Sequence, residues 1–278
     1  MLIAFLTDFG YSDPYAGIMK GIVSRINPKI KCVDITHGVP SHDIVTGAFF
    51  LLVSYRSFPS GTIFVVVIDP GVGGKREGVC VKTASYCFVA PNNGVLQWVL
   101  SEEPVLEAVE LTNSLYWQHP VSSTFHGRDI FAPCAAHLST GVEVLKLGKA
   151  LPVNRLKSLS SDFSLKPIIS GDLIYGNVLS VDRFGNIATT IKKKDINNSR
   201  DFFVEISGVR VYNFVSSYEE AVPYKFPIKD KTVSGEKFYL LWNSFGYLEI
   251  ALNQGNARDA LDVKVGDKVE VHFAANTM

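Results

Sequence analysis

Two glycine-rich turns carry the groups with the most chemical potential. Asp69-Pro70-Gly71-Val72-Gly73-Gly74-Lys75-Arg76 brings a carboxylate and a guanidinium together, and Thr124-Phe125-His126-Gly127-Arg128-Asp129 adds an imidazole. No metal-ligand spacing and no nucleophilic Ser or Cys motif accompanies them, so the combination points to water acting on a small molecule. The first turn is not a phosphate loop: Gly74-Lys75 is followed by Arg76 rather than Ser or Thr, and the third glycine of a dinucleotide fingerprint is missing. His126 is expected at the start of a helix, whose positive terminus disfavours the imidazolium. Taken singly, a strand-ending Asp-Pro is also an ordinary turn and a lone His is also an ordinary structural residue.

Further polar groups sit where ligand loops form. Asp8-Phe9-Gly10 follows the first apolar run, at what would be the carboxyl end of a strand, and a carboxylate there can accept from both hydroxyls of a ribose. Asp13 and Tyr15 lie on the same rim, where helix capping and surface exposure are the plain alternatives. In the second half, Asp182-Arg183-Phe184-Gly185-Asn186 and Asn243-Ser244-Phe245-Gly246-Tyr247 each combine an amide, an aromatic ring and a glycine. Such a turn can stack a purine and read its edge, or can simply join two strands.

The elements that must hold these groups fall into two kinds. The first half alternates short β-branched runs with helical patterns, the signature of an α/β layer domain with a largely parallel sheet. Strands are expected at Leu2–Thr7, Ile30–Ile35, Thr62–Ile68, Val79–Lys82 and Tyr86–Val89. Helices are expected from an Asp13-Pro14 start to Ile26, over His42–Tyr55, Asn93–Leu100 and Ile130–Leu138, with Pro133 in the first turn of the last. Composition shifts to Ser, Lys, Leu and Pro after Leu151, so the domains are placed at 1–152 and 170–278 with a linker at 153–169. Beyond it come seven strand-like runs and no convincing helix, with Ser207-Gly208 as a two-residue hairpin turn, and a small antiparallel β-barrel or sandwich is the natural outcome.

Composition narrows the function. The 278 residues carry no net charge, which gives no global attraction to nucleic acid or an anionic membrane, and Lys192-Lys193-Lys194 reads as a solvated turn. Cys32, Cys80, Cys87 and Cys134 are isolated and read as reduced core thiols. The apolar opening has no basic leader region and meets Asp8 early, so a cytoplasmic location is the expectation, and the Asn197-Asn198-Ser199 sequon carries no weight. His37, His42, His119, His137 and His272 show no ligand spacing, so no metal is expected.

Taken in order along the chain, six motifs resemble the S-adenosylmethionine hydroxide adenosyltransferase family, adenosyl-forming hydrolases related to the fluorinase and chlorinase. They are Thr7-Asp8-Phe9-Gly10, Asp69 to Gly73 with Arg76, Ala90-Pro91-Asn92-Asn93-Gly94, Thr124 to Asp129, Asp182 to Asn186, and Asn243 to Tyr247. The resemblance implies an α/β domain, a C-terminal β-barrel, and a homotrimer with active sites between one subunit's first domain and its neighbour's second. It implies Asp69, Arg76 and His126 as a water-activating triad and Asp8 as the ribose carboxylate. It also implies Asp13, Tyr15 and Phe125 near the substrate, and Asp182, Asn186, Ser244, Tyr247 and Asn253 in segments that bind methionine or adenine. Where relatives often carry a second Arg after the triad Arg, this chain has Glu77. The implied activity is hydrolysis of S-adenosylmethionine to adenosine and methionine without a cofactor. The alternatives are a chloride- or fluoride-using halogenase and a non-catalytic binder of S-adenosylmethionine or adenosine.

Overall fold

The computed structural model describes residues 1–160, 163–196, 201–221 and 235–273, and the chain divides into two compact units, Met1–Leu159 and Ser160–Met278. The Asn197-Asn198-Ser199 sequon lies outside the described residues.

The first unit is built on strands β1 (Leu2–Thr7), β2 (Lys31–Thr36), β3 (Ile63–Val67), β4 (Gly78–Lys82), β5 (Cys87–Pro91), β6 (Glu107–Glu110) and β7 (Lys149–Ala150). Their spatial order is β2-β1-β3-β5-β4-β6-β7. The pairs β1–β2, β1–β3 and β3–β5 are parallel, whereas β4, β6 and β7 add an antiparallel flank. This is the expected α/β layer with a largely parallel sheet. Strands β1 and β3 run as unbroken apolar segments because both faces are covered, and every residue of β3 is buried. The helices are α1 (Tyr15–Ile26), α2 (Ile44–Ser54), α3 (Gln97–Glu102) and α4 (Ala132–Ser139).

Local details depart from the expected boundaries for identifiable reasons. Asp13 does not cap α1: Pro14 occupies the cap position and no side chain accepts there, leaving Asp13 exposed. Helix α2 begins at Ile44 because Asp43 caps it, accepting from the Thr46 amide at 2.9 Å. Helix α3 is shorter than expected because Asn93 is spent on a turn: its side chain donates to the Ile68 carbonyl and accepts from the Val95 amide. Residues 127–131 form a π-helical turn that leads into α4, and the Asp129 carbonyl that Pro133 cannot bond accepts instead from the Gln118 amide at 2.8 Å. Val153–Leu159 lies on the first unit, where Asn92 and Gln97 accept from the Lys157 and Leu159 amides.

The second unit comprises β8 (Ile168–Ser170), β9 (Leu173–Val181), β10 (Ile187–Lys192), β11 (Phe202–Ile206), β12 (Val209–Val211), β13 (Asn213–Phe214), β14 (Tyr239–Trp242), β15 (Tyr247–Ala251) and β16 (Lys268–Phe273). They run in the order β12-β11-β16-β9-β10-β15-β14-β13, with β8 on β9, as a nearly closed, mostly antiparallel barrel. One short segment supplies both edges, since β12 and β13 are separated only by Tyr212. Ser207 and Gly208, at φ 52° and 76°, make the expected tight turn between β11 and β12. Contrary to the all-strand expectation, Ala257–Leu261 forms a short helix, α5, capped by Asn256, which accepts from the Asp259 amide.

Candidate active site

Parallel pairing of β1 with β3 puts Thr7 beside Val67, so the chain segments that follow, carrying Asp8 and Asp69, emerge together at the carboxyl edge of the sheet. Strand β2 flanks β1 on the other side and delivers the loop ahead of α2 to the same edge. A cavity of about 340 Å³ opens there, lined by Asp8, Asp13, Tyr15, Asp69, Phe125 and His126 together with Phe9, Ser41, His42, Val67, Val72, Thr124 and Gly127.

Asp69, Arg76 and His126 form one continuous hydrogen-bonded unit. The Arg76 guanidinium grips Asp69 with two donors, Nε to Oδ1 at 2.8 Å and Nη2 to Oδ2. The same Nη2 reaches His126 Nδ1 at 2.8 Å. The two ionic side chains are nearly buried, at 10% and 6% exposure, and the guanidinium lies 5.3 Å from the centre of the Phe131 ring. Arginine has no acceptor, so Nδ1 must offer its lone pair and the neutral ring carries its proton on Nε2. Burial, then the Arg76 charge, hold the His126 imidazole below its ordinary value, outweighing the opposing pull of Asp69 and Asp129. The neutral ring expected from sequence therefore arises mainly from desolvation and a neighbouring cation.

The loop that carries His126 is tied down by Asp129. This fully buried carboxylate accepts from the Ser122 amide and hydroxyl, both at 2.8 Å, and from Arg128 Nε at 2.6 Å. Burial pushes the Asp129 carboxyl up, but Arg128 and Ser122 together bring it below the ordinary value. Gly73 fixes the spacing of the two loops. Its φ is 75°, and a Cβ there would stand 2.1 Å from the Ser123 carbonyl oxygen, so only glycine fits the crossing.

Asp8 accepts from the His42 amide at 2.8 Å, a bond across chain segments that no local motif encodes. His42 itself has φ 68°. Phe125 packs edge to face on Phe9 and on Tyr15, which are tilted against each other, and the three rings, with centroids 5.1 to 5.9 Å apart, form an aromatic wall. Phe9, Ser41 and His42 were missed as lining residues; only the sheet order shows that the loop after β2 shares this edge. Glu77 turns away from the triad, accepting from Arg155 at 3.1 Å and from Asn92 at 3.4 Å. Its substitution for arginine leaves the triad intact.

The remaining candidates lie on the barrel unit in two groups. Asp182 and Asn186 are joined through Asn186 Nδ2 to Asp182 Oδ2 at 3.0 Å, and Asn186 and Asn253 line a cavity of about 510 Å³ with Phe184, Tyr218, Leu252, Gln254 and Gly255. The Ser244–Tyr247 turn sits elsewhere. Strand β10 pairs Ile187 with Ile250 and Lys192 with Tyr247, so that turn is at the far end of the ladder. Ser244 is exposed, whereas Tyr247 is buried beneath the Lys192 ammonium, 4.8 Å from its ring centre.

Residues 3–148 match the family model described as the SAM hydroxide adenosyltransferase N-terminal domain, and residues 176–270 match the C-terminal domain of the same family. The chain belongs to the SAM hydroxide adenosyltransferase family. Among curated relatives of this adenosyltransferase, the (R)-S-adenosyl-L-methionine hydrolase of Thermus thermophilus is 34% identical, over 97% of this chain and 98% of its own. The protein of the same name from Methanocaldococcus jannaschii is 31% identical, covering 98% of this chain and 96% of its own. A fluorinase from an Actinoplanes species is more distant, at 26% with 97% of each chain covered. Among solved structures, an uncharacterized conserved protein from Thermotoga maritima superposes with a TM-score of 0.83 at 33% identity, spanning 98% of this chain and all of that one. Neither family match includes a metal-binding cluster among the described residues, and no described helix is long and apolar enough to cross a membrane.

Proposed function

We infer that this adenosyltransferase hydrolyses S-adenosyl-L-methionine to adenosine and L-methionine, with water attacking the ribose C5′ carbon. The observation that carries the reading is the Asp69–Arg76–His126 unit, whose Asp69 and His126 line the cavity that also holds Asp8 while Arg76 joins them from behind. The C5′–sulfur bond breaks with its electron pair, methionine leaves as a neutral thioether, and one water proton is released. A neutral leaving group needs no acid, so the demand falls on the nucleophile.

The donor and acceptor inventory assigns the parts. Arg76 only donates, and the His126 lone pair is occupied by Arg76, so Asp69 is the member of the triad with acceptor capacity left. In this reading Arg76 holds Asp69 and His126 in place, His126 orients the water, and Asp69 accepts its developing proton. Asp8 accepts from the ribose hydroxyls, and the aromatic wall of Phe9, Tyr15 and Phe125 excludes bulk water. Holding water in line with C5′ adds a proximity term of up to roughly 7–11 kcal/mol in ideal systems.

The binding groups of the barrel unit fit the two ends of an elongated ligand, and we take the cavity beside Asn186 and the exposed Phe184 ring to receive its nucleobase. The Asp182–Asn186 turn and the Ser244–Tyr247 turn lie at opposite ends of the β10–β15 ladder, three residues apart on β15, about 10 Å at ~3.3 Å per residue. We take these groups to meet the first unit of a neighbouring copy in a homotrimer, in the cytoplasm and without metal or cofactor. A halide-using reaction is the second reading; the ionic triad occupies the space a halide would need, and the hydrolase relatives are the nearer ones.

The test is to incubate the purified protein with S-adenosylmethionine in halide-free buffer, then with chloride or fluoride, and to follow products by mass-detected chromatography. Adenosine and methionine without halide support the hydrolase; a 5′-halo-adenosine formed only with halide overturns it. Binding without any product would instead favour a non-catalytic role.

A further inference from the structure

The cavity on the barrel unit is lined by two carboxamides whose donors are already spent. Asn186 Nδ2 donates to Asp182 Oδ2 and to the Tyr218 hydroxyl, each at 3.0 Å. Asn253 Nδ2 donates to the Ala221 carbonyl at 2.6 Å and to the Tyr218 carbonyl at 3.4 Å. Neither Oδ1 has a hydrogen-bond partner among the described residues, and neither is sealed from solvent. Both amides therefore present an acceptor to the cavity.

The direction of the Asn186 amide is enforced from behind. Tyr218 gives its hydroxyl hydrogen to Glu249 Oε1, so its oxygen is left to accept from Asn186. Glu249 is 7% exposed and sits on β15, paired with Ala188 one strand away from the Asn186 turn. A carboxyl oxygen can accept from Tyr218 whether or not the acid is ionised, so the chain of donors keeps one direction in both states. Reversing the Asn186 amide would set its oxygen against the Asp182 carboxylate and remove the donor to Tyr218. Gln254, which has no partner among the described residues, can turn either end to a ligand, so selection falls on the two fixed amides.

We propose that Tyr218 and Glu249 are specificity-determining positioning residues, which hold the Asn186 carbonyl toward the cavity so that it takes a purine bearing a 6-amino group and rejects one bearing a 6-oxo group. The proposal rests on the reading that this cavity receives the nucleobase end of the substrate. The exposed ring of Phe184 supplies a stacking face, and a 6-amino group supplies the donor that two acceptors require. A 6-oxo purine sets its O6 acceptor where the 6-amino group sets a donor, so the contact to the Asn186 carbonyl is lost, and its N1–H donor is displaced from that position.

Binding of adenosine and inosine by calorimetry tests this without depending on turnover, and kcat/KM for S-adenosyl- against S-inosyl-methionine tests it with turnover. The wild-type protein should favour the amino form on the order of a hundredfold. Tyr218→Phe should cut that ratio at least tenfold, with the change in KM exceeding the change in kcat, because the base is remote from C5′. Glu249→Gln should restore a near wild-type ratio, since its amide oxygen still accepts from Tyr218. If Tyr218→Phe fails to fold because the buried Glu249 has lost its Tyr218 donor, the double variant Tyr218→Phe/Glu249→Leu removes that burden and makes the same comparison. An unchanged ratio in folded Tyr218→Phe or in the folded double variant overturns the positioning role. Equal use of both purines by the wild type overturns the selectivity while leaving the hydrolase reading intact, and absence of adenosine formation with selective nucleoside binding does the reverse.

Discussion

Nη2 of Arg76 donates to Nδ1 of His126 across 2.8 Å, and that contact fixes which ring nitrogen keeps the proton. A lysine at position 76 keeps the charge but cannot span Asp69 and His126 at once, because its ammonium lacks the planar fork. Arg76→Lys should lower kcat for adenosine formation by about 10²- to 10⁴-fold. A variant within threefold of wild type would show that the triad does not act as a unit.

Removing the ring tests the other end of the same contact. His126→Ala should abolish turnover while largely sparing the affinity for S-adenosylmethionine, since Asp8 and the barrel groups remain. Calorimetric binding beside a discontinuous product assay separates the two effects. Loss of affinity with undiminished turnover of bound substrate would remove His126 from the assigned role.

Acid should act through the histidines. His126, His37 and His137 are all held below the ordinary imidazole value, chiefly by burial. The folded state therefore binds fewer protons than the unfolded chain, so stability is full above about pH 6.5 and is lost as pH falls toward the depressed values. Melting temperature should drop between pH 7.5 and 5.5, and the acid limb of kcat/KM should lie below about 6.5 because neutral His126 persists there. An acid limb above pH 7 would contradict the buried, cation-flanked ring.

Gly73 should tolerate nothing larger. In Gly73→Ala the new Cβ would meet the Ser123 carbonyl at 2.1 Å with φ at 75°, so the Asp69–Arg76 loop and the His126 loop must part. Displacement on the order of 1 Å should cost about 10²-fold in rate, and the strained backbone about 1–3 kcal/mol in stability. Urea titration beside the product assay measures both.

Asp129→Ala should cost about 3 kcal/mol, the lower end for breaking a buried pair because Arg128 is one-third exposed. The Ser122 amide and hydroxyl both lose the carboxylate they donate to in the same variant, so the loop that carries His126 should loosen. Faster amide exchange at residues 122–126 would report it directly.

Much of this protein was legible without coordinates. The unbroken apolar run of β3, the strand-like runs of the second half and the Ser207-Gly208 turn are local signals, set by side-chain period and backbone freedom, and they point to an α/β layer followed by an antiparallel β domain. Asp69, Arg76 and His126 could be picked as residue types on glycine turns because that chemistry needs those groups. Their meeting could not be read, since the bond from Arg76 to His126 spans fifty positions and depends on which strands are neighbours. The start of α1 was misplaced because Pro14, rather than a capping Asp13, ends the preceding turn, and α5 was missed because it is a single capped turn too short to show a period. The reach of His42 to Asp8, the clearance at Gly73 and the relay from Glu249 through Tyr218 to Asn186 are likewise long-range. Sequence determined which groups were present and which elements they would ride on; packing of the β2-β1-β3 edge and closure of the barrel decided which of them touch, because hydrogen bonds are fixed by distances between segments that composition and spacing do not specify.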